Sequence, residues 1–124
     1  MAVVQPVYTR TGKAKTRKVS WTLANGDVGA RVDMSQYSDK TVDIGGTFGA
    51  AGSVTLRGSN QILPDPTDVS ATGAWAAVTD PQANAITKTA KALEAILENP
   101  TWMSPQCTAG DGTTAITVTI QGRK

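Results

Sequence analysis

The sequence predicts an all-β fold, a two-sheet antiparallel sandwich of jelly-roll type carrying one short helix, with a closed barrel as the alternative. Three observations predict it. Apolar and polar residues alternate over short runs, the period-two pattern of half-buried strands. Gly, Asn, Asp and Pro interrupt those runs at close intervals, where turns need them. Only one stretch has helical spacing. With 124 residues and 40% hydrophobic content the chain can build one core and is too short for two ordinary domains.

The elements follow in order. Residues 1–17 contain Val3, Val4 and Val7 outside the main alternation and are expected to form an extended N-terminal arm, with the sandwich domain over 18–124. In residues 18–23, Val19, Trp21 and Leu23 share one strand face, and Asn25-Gly26 supplies a tight turn into a return strand carrying Val28, Ala30 and Val32, a hairpin. Residues 41–44 and 53–57 are two further strands, the second with Val54 and Leu56 inward and Thr55 and Arg57 outward. The glycine-dense segment 45–52 between them forbids a helix and predicts a sharp corner or a close backbone approach.

Residues 61–73, with Pro64, Pro66, Asp65 and Asp68, read as an exposed loop. Short strands follow over 74–78 and 85–89. The helix is predicted over 91–98, where Leu93, Ile96 and Leu97 fall at i, i+3 and i+4 and Asn99-Pro100 stops it. Residues 102–108 and 114–121 close the chain as a hairpin about Ala109-Gly110-Asp111-Gly112, and Ile116, Val118 and Ile120 give the clearest alternation of all.

Composition narrows the chemistry. There is no histidine and a single cysteine, Cys107, which excludes an intramolecular disulfide and the usual zinc, haem and iron-sulfur ligand sets. No metal, no cofactor and no catalytic residue is expected. The commonest general base is missing, and Cys107 has no imidazole to activate it, so it is read as a buried structural thiol. Asp33, Asp39 and Asp43 match no calcium-loop pattern and read as solvated carboxylates. The glycines of 45–52 lack the Gly-Lys-Ser/Thr ending and the βαβ setting of a phosphate loop. No apolar run approaches the roughly eighteen residues of a membrane span, and no signal peptide is evident, so the chain is expected to be made in a cytoplasm and to work without a membrane.

The net charge of +2 argues for no partner by itself, but Arg10, Lys13, Lys15, Arg17 and Lys18 put five cations into nine positions with no acid among them. A solvated face, a contact with an acidic protein surface and a nucleic-acid contact are the three readings. The third is the weakest, because no aromatic residues interleave the charges as a base-stacking platform requires. Val3, Val4, Val7, Arg10, Lys13, Lys15, Arg17 and Lys18 are therefore the candidate partner-binding residues. Trp21, Trp75 and Trp102 all fall on predicted strands, where core positions outweigh a sugar-binding platform.

Gly46-Thr47-Phe48-Gly49, Val54-Thr55-Leu56-Arg57-Gly58-Ser59-Asn60, Trp75, Thr79-Asp80-Pro81-Gln82 and Ala109-Gly110-Asp111-Gly112-Thr113-Thr114 together give a pattern over residues 18–123. It resembles the jelly-roll head decoration, or cement, proteins of tailed bacteriophages. The resemblance implies a non-enzymatic virion protein on the capsid exterior that binds the major capsid protein and itself, as a homodimer or homotrimer on a symmetry axis. A phage tail or head-to-tail connector component and a carbohydrate-binding adhesion module are the other readings.

Overall fold

The structure is a computed structural model that describes residues 2–10, 12, 15–61 and 74–124. The predicted loop over 61–73 therefore lies almost wholly outside the described residues, as does Lys13. The strands are β1 (Val3–Val4), β2 (Val7–Thr9), β3 (Thr16–Leu23), β4 (Val28–Gly29), β5 (Asp39–Thr47), β6 (Ser53–Ser59), β7 (Ala76–Ala77), β8 (Thr87–Lys88), β9 (Ala92–Ile96), β10 (Trp102–Ala109) and β11 (Ala115–Arg123). Two sheets pack face to face. The five-stranded sheet runs β2-β3-β11-β5-β9, and the six-stranded sheet runs β1-β4-β10-β6-β7, with β8 also beside β6.

The order of the long strands defines the winding. Number as one to eight the strands β3, β4, β5, β6, the β7 and β8 pair, β9, β10 and β11. One sheet then reads 1-8-3-6 and the other 2-7-4-5. That is the doubly wound antiparallel arrangement of a jelly roll. β1 and β2 add an edge to each sheet: β1 pairs in parallel with β4, and β2 antiparallel with β3.

The core lies between the sheets and is built from the alternation. Val19, Trp21 and Leu23 of β3, Val42 and Ile44 of β5, and Ile116, Val118 and Ile120 of β11 face Val54 and Leu56 of β6 and Met103 and Cys107 of β10, all of them buried. Trp21 reaches across, donating its indole N–H to the Ala30 carbonyl at 3.1 Å.

Two expected hairpins are corrected. The turn at Asn25-Gly26 forms, with the Asp27 amide donating to the Ala24 carbonyl at 3.0 Å, but β3 and β4 belong to different sheets. β10 and β11 are likewise joined by a corner, not paired. In each case the chain folds over the edge of the sandwich, so that both strands turn their apolar rows to one core.

The expected helix over 91–98 is the strand β9. It pairs with β5 from Lys40↔Ile96 to Ile44↔Ala92. An eight-residue segment is too short to hold a helix on its own propensity, and the open edge of β5 offers its backbone groups partners they would otherwise lack. The consequence is a different sidedness. Ile96 is buried, whereas Leu93 is 71% and Leu97 57% exposed. Glu94 faces inward at the sheet edge and meets Lys88 of β8 at 3.0 Å, an ion pair between the two sheets.

The glycines at the end of β5 and in the corner after it serve close approach. Gly46 (φ 101°) lies where a Cβ would strike the Ala115 carbonyl, and Gly49 (φ 70°) where one would strike the Asp111 carboxylate.

Candidate protein-contact face

The structure divides the predicted partner-binding residues among several places. Val3 and Val4 lie opposite Val28 and Gly29 in β1, half-buried, with Val4 against the core. Val7 is 61% exposed on β2. Arg17 stacks over the Tyr8 ring at 4.5 Å, on the face of the sheet opposite to Lys18, since the two are successive strand residues. Arg10 and Lys15 are exposed. Arg17 and Lys18 thus do not share a face of the sheet.

The aspartates are similarly dispersed. Asp33 accepts the Ser35 amide at 2.9 Å and its hydroxyl at 2.6 Å, while Asp39 and Asp43 sit on β5 opposite Arg123 and Thr119. Among the described residues no group of three or more His, Cys, Asp or Glu is placed to hold a metal ion. Lys40 is buried, and its ammonium donates to the Tyr37 carbonyl at 2.7 Å and to Asn99 Oδ1; burial pushes its pKa down, against the opposing pull of Asp39. An open groove of about 430 Å³ runs along Gly58, Ser59, Asn60, Ala76, Val78 and Pro100. Among the described residues its one lining carboxylate, Glu98, accepts both the Thr79 amide, at 2.7 Å, and the Thr79 hydroxyl.

The most concentrated chemistry is on the outer face of the six-stranded sheet. The pairing of β10 with β6 sends Met103, Cys107, Val54 and Leu56 inward, and therefore turns Trp102, Ser104 and Gln106 outward beside Ser59, Arg57 and Thr55. The Val32↔Met103 bridge puts Arg31 on the same face, on the other side of Ser104. β7 pairs Ala77 with Arg57, and Trp75, two residues earlier, covers that guanidinium.

The resulting cluster has a definite order. Arg57 Nη2 donates to Ser104 Oγ at 3.1 Å, and Ser104 Oγ donates to the Gly29 carbonyl at 2.7 Å. Arg31 lies 4.1 Å from the centroid of Trp102 and Arg57 4.9 Å from that of Trp75, each within cation–π range. Ser104, though outward, is wholly covered. Three N–H groups here are buried without an acceptor: Arg31 Nη1, Arg57 Nε and Trp75 Nε1. Burial pushes the Arg57 pKa down to about 10, which leaves it cationic at neutral pH. Neither arginine is paired with a carboxylate among the described residues.

This corrects the core expectation for two of the three tryptophans. Trp21 is in the core, but Trp75 and Trp102 are half-buried on the outer face, under arginines. The parity of Trp102 with respect to Met103 and Cys107 carries a sequence signal for its outward direction. No local signal brings Trp75 to Arg57.

A crystal structure of a cupin domain from Bordetella pertussis Tohama I is similar to this chain, with 11% sequence identity, a TM-score of 0.49 and coverage of 99% of this chain and 95% of that one. No family model and no curated protein sequence matches the chain. A jelly roll hosts enzymes and non-enzymes alike, so the function rests on the site. Chemically, the cluster can bind: it offers fixed cations, rigid aromatic area and free N–H donors. Among the described residues it holds no carboxylate.

Proposed function

We propose that this chain is a virion structural protein that decorates and stabilises the outside of a phage capsid by binding the major capsid protein across neighbouring subunits. It is made in the host cytoplasm and acts on the capsid exterior as a homodimer or homotrimer. The observation that supports the reading is the Trp102, Arg31, Ser104, Arg57 and Trp75 face. Tryptophan and arginine dominate the energetics of protein interfaces, and here they are held on a sheet with their orientations set by stacking. Sandwich rigidity suits a protein used in many copies, because identical modest contacts repeated over a shell gain by effective concentration.

Two outward tryptophans on one sheet also suit the adhesion-module reading. Each ring already carries a guanidinium where a sugar would stack, which favours a protein contact.

The test is co-sedimentation of the purified protein with expanded capsids that lack it, at moderate and high salt. Saturable binding is the expected result. No binding at either salt overturns the proposal, in favour of a connector component if the protein forms rings and of an adhesion module if added glycan quenches its tryptophan fluorescence.

A further inference from the structure

We propose that the Arg31, Ser104 and Arg57 row on the outer face of the six-stranded sheet is a receptor for carboxylate side chains, so that the partner presents an acidic segment there. The inference rests on the protein-contact reading of this face and specifies what the partner must bring.

The reasoning begins with what the chain leaves unfinished. Buried polar groups are nearly always hydrogen-bonded, and a buried donor without an acceptor is costly. Arg31 Nη1, Arg57 Nε and Trp75 Nε1 are three such donors in one cluster. All three are donor-only groups, so none can satisfy another. Their missing partner must be an acceptor. Among the described residues the two arginines also lack a counter-charge, although a Lys88–Glu94 ion pair forms elsewhere.

A carboxylate supplies the counter-charge directly, and it reaches the buried donors as the side chains over them give way on docking. It is acceptor-only, has lone pairs for several N–H groups, and forms its strongest hydrogen bonds with guanidinium. The positions are prepared in advance. Ser104 Oγ anchors Arg57 at 3.1 Å and is itself fixed by the Gly29 carbonyl, while Trp75 and Trp102 hold the guanidinium planes. Arg31 and Arg57 lie on either side of β10, two strand spacings apart, or about 10 Å. That separation suits two acidic side chains of one partner segment.

Nucleic-acid phosphate is the competing occupant and fits less well. A polyanion backbone is tracked by many cations, whereas the outward neighbours here, Thr55, Ser104 and Gln106, are neutral. The tryptophan faces that would stack bases are already under guanidinium.

The test uses the full chain, with the intrinsic emission of Trp75 and Trp102 as reporter. It is titrated with a glutamate-rich peptide and, separately, with an oligothymidylate of equal charge. The expected result is a saturable emission change with the peptide that Arg31→Gln weakens by about tenfold or more, and Arg31→Gln/Arg57→Gln further. Circular dichroism of each variant shows that it is folded, and Arg31→Gln alone carries the test if the double variant is not. No saturable change with the peptide, equal binding by a folded Arg31→Gln, or tighter binding of the oligothymidylate overturns the proposal. Capsid binding is measured in parallel on shells whose carboxylates have been converted to neutral amides. Loss of wild-type binding there supports the proposal, and unchanged binding overturns it while leaving the capsid role standing. Peptide binding without any capsid binding has the opposite meaning: the carboxylate receptor stands and the capsid role fails.

Discussion

Asp111 shows how one side chain closes an end of the sandwich. Its carboxylate accepts the Thr113 hydroxyl at 2.6 Å, the Ala50 amide at 2.7 Å and the Thr113 amide at 2.8 Å, while Thr114 donates its hydroxyl to the Phe48 carbonyl at 2.8 Å. The corner after β5 is thereby fastened to the corner after β10. Those hydrogen bonds, led by that from the Thr113 hydroxyl, pull the carboxyl pKa from 3.8 down to about 2. Because the folded value is the lower one, the stabilisation is complete above the unfolded pKa and is lost as pH falls through the folded one. Urea unfolding from pH 5 to pH 2 is therefore expected to show a falling midpoint, and Asp111→Asn a lower midpoint at neutral pH with a shallower acid dependence. An amide has one accepting oxygen and a donor NH2 in place of the second, whereas the corner uses both carboxylate oxygens as acceptors.

Among the elements, β9 separates the sequence reading from the structure most sharply. Ile96→Ala is expected to cost about 2 to 4 kcal/mol, because it opens a cavity in the core. Leu93→Lys is expected to change stability by no more than about 0.5 kcal/mol, since it replaces one exposed side chain with another. A helix packed through Leu93, Ile96 and Leu97 would make both substitutions costly, so paired denaturation curves decide between the two sidednesses. The spacing of Leu93, Ile96 and Leu97 fits one helical face and splits across the two faces of a strand, so the local pattern pointed to a helix, and the decisive fact was non-local: the open edge of β5. The long strands were legible because Val19, Trp21, Leu23 and Ile116, Val118, Ile120 alternate without interruption. The corners were half legible. Asn25-Gly26 announced a reversal of the chain, but a turn residue does not say whether the next strand pairs with the last or crosses to the opposite sheet. The contact face was hardly legible, since it assembles Arg31, Arg57, Trp75 and Trp102 from four separate segments. The preference of aromatic residues for cores pointed the other way for the tryptophans.

For the molecule as a whole, the two sheets differ in what they show on their outer faces. The five-stranded sheet carries on its outer face the Thr22 and Thr117 hydroxyls, paired at 3.2 Å, the carboxylates of Asp39 and Asp43 and the exposed Val7 and Leu93, whereas the six-stranded sheet carries the Arg31–Trp102 and Arg57–Trp75 stacks. Substitutions such as Thr117→Ser are accordingly expected to leave capsid binding unchanged in the co-sedimentation assay, in contrast to those at Arg31. The winding that holds these faces apart also sets when they can exist. β11 lies between β3 and β5 in the sheet, pairing from Thr16↔Arg123 on one side and from Asp39↔Arg123 on the other. During translation, β3 and β5 must therefore wait with their apolar rows uncovered until β11 leaves the ribosome. Nascent chains arrested after β10 should be open to protease along their whole length, and release of the finished chain should bring protection in a single step.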